Sequence, residues 1–150
     1  MSKKILIVVD EAIIRKRMSE IATREGYQPL TASDGVKALE ILKTDSIDLL
    51  LTDSIMPEMD GGDLITILNG RYVHNRERNA QTYFGGNLQE YDAFVETHKS
   101  TPALMMSKDA EIFREIIESI GALDCFPKSY NRLRPFNEKE FVAILGQYLS

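Results

Sequence analysis

A chain of 150 residues is long enough to bury one full core and short for two domains. Its 43% apolar and 27% charged residues are ordinary for a globular protein, and a net charge of -5 argues against general affinity for nucleic acid or anionic membranes. One cysteine, Cys125, excludes an internal disulfide, and the first apolar run, Ile5 to Val9, is too short for a signal peptide or a membrane span, so a cytoplasmic protein is expected.

Strand and helix patterns alternate along the chain. Ile5 to Val9 is continuously apolar, as in a strand covered on both faces. Residues Ile13 to Arg24 set Ile14, Met18, Ile21 and Ala22 on one helical stripe, and Gly26 ends that helix. Gln28 to Ala32 is a second strand candidate, and Ser33-Asp34-Gly35 opens a helix through Leu42. Ile47 to Thr52 is a third strand, followed by a helix over Gly62 to Leu68. Ala103 to Met106 is a fourth strand, followed by a long amphipathic helix over about Ala110 to Ile120. Ala122 to Phe126 is a fifth strand, and Glu138 to Leu149 a last helix with Phe141, Ile144, Leu145 and Tyr148 inward. Five strands and five helices in strict alternation predict an α/β fold, a doubly wound parallel sheet with helices on both faces and flavodoxin-like order 2-1-3-4-5.

Residues 71–101 interrupt this rhythm. The segment begins basic, carries Tyr83, Phe84 and Gly85-Gly86, and turns acidic, with a short helix over Leu88 to His98. It is long for a connection inside a compact domain. A surface insertion and a partner-binding or dimer-forming element are both open, the aromatics Tyr83, Phe84 and Tyr91 favouring the second. Gly85-Gly86 reads as a flexible tip, and neither glycine pair fits a nucleotide loop. His74 and His98 have no carboxylate or thiol at metal-ligand spacing and are expected on the surface.

Two acidic strand ends stand out. Asp53 follows Leu49-Leu50-Leu51-Thr52, and Asp10-Glu11 follows the first strand. In the order 2-1-3-4-5 these strands are neighbours, which brings both clusters to one site at the carboxyl ends, suited to a cation between carboxylates.

These residues resemble the receiver domain of bacterial two-component response regulators. Asp53-Ser54-Ile55-Met56-Pro57-Glu58-Met59-Asp60-Gly61 is similar to the family's phosphorylation motif, and Val9-Asp10-Glu11-Ala12 with Arg15 is similar to its acidic first loop. Ser107 ends the fourth strand as the family's Thr or Ser does. Gly121-Ala122-Leu123-Asp124-Cys125-Phe126-Pro127-Lys128 is similar to the segment ending in the family's lysine. The resemblance spans residues 1–150 as one domain, apart from insertions at about 71–101 and 129–134.

It implies that Asp53 is the phosphoacceptor, with Ser107 and Lys128 contacting phosphoryl oxygens. It also implies Mg²⁺ held by Asp10, Asp53 and the Ile55 carbonyl, with Glu11 as a further candidate ligand. Three departures matter. Val9 replaces the first acid of the pair, which should weaken Mg²⁺ binding. Cys125 replaces the aromatic switch residue. Ser129 replaces the proline after Lys128, and Arg134 becomes a second candidate for the phosphate.

The implied function is phosphoryl transfer to Asp53 from a histidine kinase or phosphotransferase protein. Signalling then passes to a downstream protein through the face of the fourth helix, fifth strand and last helix. No nucleic acid, membrane insertion or external enzymatic turnover is expected, and no output module fits after Leu149. The alternative is a degenerate receiver that acts as a phosphorylation-independent interaction module.

Overall fold

The computed structural model describes residues 2–108, 110, 114–127 and 136–150. The strands are β1 (Lys4–Val8), β2 (Gln28–Ala32), β3 (Leu49–Asp53), β4 (Ala103–Ser107) and β5 (Asp124–Pro127). They form one parallel sheet in the order β2-β1-β3-β4-β5, as the alternation predicted. In register, Val8 lies opposite Thr52 and Asp53 opposite Met106, so the ends of β1, β3 and β4 come level at one edge.

Adjacent residues on a strand face opposite sides of the sheet, which divides the core in two. Ile5, Ile7, Leu49, Leu51 and Leu104 pack under α1 (Ala12–Arg24) and the last helix, α7 (Glu138–Leu149). Leu6, Val8, Leu50, Met105 and Cys125 pack under α2 (Gly35–Thr44) and α3 (Gly61–Asn69). The buried residues of α1, Met18, Ile21 and Ala22, form the expected stripe, and Gly26 takes φ 91° beyond its end. The Asp34 side chain accepts the Lys37 amide to cap α2. Gly70, at φ 62°, closes α3.

The insertion is built into the second core layer. After a short 3-10 turn (Val73–Asn75) come α4 (Arg76–Tyr83) and α5 (Leu88–His98), so the expected helix over Leu88 to His98 is present and α4 is an addition to it. Gly85 and Gly86, at φ 58° and 80°, form the turn between them, which the Gly86 amide ties to the Ala80 carbonyl at 2.9 Å. Phe84, Tyr91 and Phe94 bury against α2, α3 and one another, with Phe84 and Phe94 edge to face at 5.1 Å between centroids. Burial of each such ring contributes about 1.5–3 kcal/mol. Two of the three aromatics that favoured a partner surface are therefore core residues of the domain itself.

Two further expectations are corrected. His98 is buried, its Nε2 2.7 Å from the Leu42 carbonyl and its ring 4.6 Å from that of Phe94. The absence of metal-ligand spacing excluded a metal role for His98 but said nothing of burial. Its position on the Tyr91–Phe94–His98 stripe of α5 decides that. The helix expected over Ala110 to Ile120 is not continuous: residues 115 and 116 form a turn, and a separate α6 (Ile117–Ile120) follows. Consecutive β-branched residues hold a helix weakly, and Ile116 (φ -115°, ψ -7°) is 43% exposed. The expected short insertion at 129–134 lies outside the described residues.

Candidate functional site

Asp53 ends β3, the central strand, each of whose residues is buried. It is 1% exposed, a costly place for a carboxylate without donors or a cation. The Asp10 amide donates to Asp53 Oδ2 at 3.3 Å, so the two acidic strand ends do meet. The Asp10 loop is held at both sides, since the Val9 amide donates to the Ala32 carbonyl at 3.1 Å and Arg15 Nη1 donates to the Val9 carbonyl at 2.8 Å.

The turn after Asp53 is equally constrained. The Ser54 amide donates to the Met106 carbonyl at 2.8 Å, and the Ser54 carbonyl accepts from the Gly61 amide at 2.9 Å. Glu58 sits at φ 68°, the left-handed region that non-glycine residues seldom adopt. The Asp60 side chain accepts the Asp63 amide at 2.7 Å and starts α3. Gly61 is required by close approach, because a β-carbon there would lie 2.2 Å from the Asp53 backbone oxygen.

Asp10, Glu11, Asp53, Ile55, Ser107 and Lys108 line one open cavity of about 290 Å³ at this sheet edge. Of the residues singled out in the sequence, Asp10, Glu11, Asp53, Ile55 and Ser107 are brought together. Lys128 and Arg134 lie outside the described residues. Because β1 ends at Val8, strand alternation does not send the Asp10 and Glu11 side chains to opposite faces, and both line the cavity. Lys108 was missed in the sequence, although it directly follows Ser107 at the end of β4. Val9 is fully buried in the layer beneath α1 and α7 and supplies no oxygen to the cavity. Cys125 is buried on the other layer, and burial pushes its thiol pKa up, as for an inert packing residue.

Asp10, Asp53 and the Ile55 carbonyl offer hard oxygen donors of the kind that suits Mg²⁺, although among the described residues no three acidic, histidine or cysteine side chains are grouped closely enough to hold a metal ion by themselves. Residues 5–77, which contain Asp10, Glu11, Asp53 and Ile55, match the response regulator receiver domain. The chain carries a response regulator receiver domain. It is 30% identical over 140 residues to the transcriptional regulatory protein CpxR of Escherichia coli K12, a match that covers 93% of this chain and 46% of CpxR. The chain thus spans less than half the length of that relative. It is 42% identical over 65 residues to sporulation initiation phosphotransferase F of Bacillus subtilis, covering 43% of this chain and 52% of that protein. The fold is that of the chemotaxis response regulator CheY4 of Vibrio cholerae, with a TM-score of 0.69, 22% identity and coverage of 99% of this chain and 100% of that one. Receiver domains of two-component systems serve phosphoacceptor signalling, generally bind Mg²⁺ at the phosphorylation site, and interact with histidine kinases or phosphotransferases. Among the described residues no helix of this receiver domain is long and apolar enough to cross a membrane.

Proposed function

We propose that this receiver domain takes a phosphoryl group on Asp53 from a phosphohistidine of a kinase or phosphotransferase and signals by protein–protein contact. The observation that carries the reading is the single cavity shared by Asp10, Asp53, Ile55 and Ser107. An Asp53 carboxylate oxygen attacks phosphorus, a P–O bond forms, and the N–P bond breaks. The leaving electron pair stays on the imidazole nitrogen, which takes up a proton. Asp10, Asp53 and the Ile55 carbonyl would hold Mg²⁺, with Glu11 as an additional acid. Bound Mg²⁺ screens the repulsion between the carboxylate and the incoming phosphoryl group. The Ser107 hydroxyl donates to one phosphoryl oxygen, and Lys128, the family's lysine by resemblance, pairs with another. Lys108 adds a second cation at the rim of the cavity. The aspartyl phosphate is lost by self-hydrolysis, without turnover of an external substrate, and the setting is cytoplasmic.

One observation favours a second reading. The fully buried Val9 leaves the cation site one acid short of the family pattern, as in a receiver that binds partners without being phosphorylated. Incubation with Mg²⁺ and acetyl phosphate, followed by intact-mass measurement, separates the two. A gain of one phosphoryl group, absent in Asp53→Ala and in the presence of EDTA, supports the acceptor. A folded wild-type protein with no gain at millimolar Mg²⁺ overturns it in favour of the interaction module.

A further inference from the structure

The insertion creates a second concavity, separate from the acceptor cavity. Its volume is about 480 Å³, within the range of small-molecule sites. One wall is the start of α3, with Asp60 and Asp63. The facing wall is the insertion, with Tyr72, Arg78, Asn79 and Tyr83. Ile67, Ile116 and Ile120 give it an apolar side.

The charges on these walls are arranged across a gap. Among the described residues, neither Asp63 nor Arg78 forms an ion pair, yet each is close enough for its field to reach the other. Desolvation and the neighbouring Asp60 raise the Asp63 pKa, and Arg78 opposes that rise. Burial raises the Tyr83 hydroxyl pKa, with Asp63 adding to the rise and Arg78 opposing it, and all three residues line the same cavity. Asn79 is buried at 6% exposure, and its Nδ2 donates to Tyr91 Oη at 3.1 Å, which fixes the amide beside the cavity. Tyr91 in turn donates to the Ile67 carbonyl at 2.9 Å, which ties the insertion to α3. A buried pair of hydrogen bonds thus joins the insertion to α3 behind the cavity.

We infer that this groove binds a small zwitterion of the amino-acid class with an apolar side chain. Its ammonium meets Asp60 and Asp63, its carboxylate meets Arg78, and its side chain lies against Ile67, Ile116 and Ile120. A ligand with both poles satisfies both walls at once, whereas a simple anion or cation leaves one wall facing a like charge. The arginine fork suits a carboxylate in two-point contact.

Calorimetry with leucine, phenylalanine and leucyl-leucine tests the assignment on the full chain, alongside the N-acetyl and carboxamide form of each. At least one zwitterion binds, and blocking either pole weakens it by about tenfold or more, the loss of one charge-assisted contact. Arg78→Ala erases the preference for the free acid over the amide, and Asp63→Asn erases the preference for the free amine over the N-acetyl form. Both residues are exposed, and thermal melts verify that the variants fold. The assignment is overturned if no zwitterion binds at millimolar concentration, if the blocked forms bind equally well, or if folded Arg78→Ala retains full discrimination. Acetyl-phosphate labelling of Asp53 is measured separately, so its failure leaves the groove result standing.

Discussion

Replacing Gly61 with alanine probes the closest approach beside the acceptor. The added β-carbon would lie 2.2 Å from the Asp53 backbone oxygen and 3.1 Å from Thr52 Cγ2. A carbon–oxygen contact settles at roughly 3.3 Å, so α3 and the end of β3 must separate by about 1 Å. The helix cannot simply withdraw, because the Gly61 amide is bonded to the Ser54 carbonyl at 2.9 Å and Asp60 caps the first turn. Overpacking costs about 1–3 kcal/mol, and a clash with backbone instead of a flexible side chain belongs at the upper end, about 2–3 kcal/mol. In a domain of this size that lowers Tm by roughly 4–12 °C. Gly146→Ala is the internal control. It lies within α7 with nothing inside 4 Å of the new carbon, so alanine should stabilise by about 0.5–1 kcal/mol. Urea unfolding of the three proteins gives the energies, and labelling by acetyl phosphate on the same samples reports the acceptor. If Gly61→Ala costs less than about 0.5 kcal/mol and labels like wild type, the close approach does not position Asp53 and the reasoning fails.

Phe94→Ala should cost about 3–5 kcal/mol in urea unfolding, because the ring sits between Phe84, Tyr91 and His98, whereas a loss below about 1 kcal/mol would make α5 an appendage. His98 gives a pH signature. Burial lowers its pKa from 6.5, so the unfolded chain binds the proton first as pH falls. The stability it supports is complete above about pH 6.5 and declines as pH drops below that value toward the depressed native pKa. His98→Leu should flatten the fall in urea midpoint between pH 7.5 and 5.5, and an unchanged slope would remove His98 as its source.

The five strands were readable because each is a short apolar run bounded by turn residues, and their ends shift by at most a few positions in the structure. The meeting of Asp10 with Asp53 was readable for a topological reason: strand order alone makes β1 and β3 neighbours. The insertion was harder. In α4 only Asn79 and Ala80 are buried, so no apolar stripe announces a helix. Tyr83 and Phe84 adjoin in sequence, but only Phe84 is enclosed, a distinction set by what α2 and α3 leave uncovered. Lys108 escaped notice because a lone lysine after a strand carries no pattern, and only the shared cavity gives it meaning.

The location of Asp53 on the middle strand also sets a timescale. β3 is paired to β1 as far as Thr52 and to β4 through Asp53, and the Ser54 amide continues the ladder to Met106. Amides in that strip exchange with deuterated solvent only when the whole sheet opens, while the four-residue α6 can fray alone. Chemistry at the acceptor is therefore expected on the slowest-opening part of the domain, while α6, which packs against α3, opens locally on a shorter timescale.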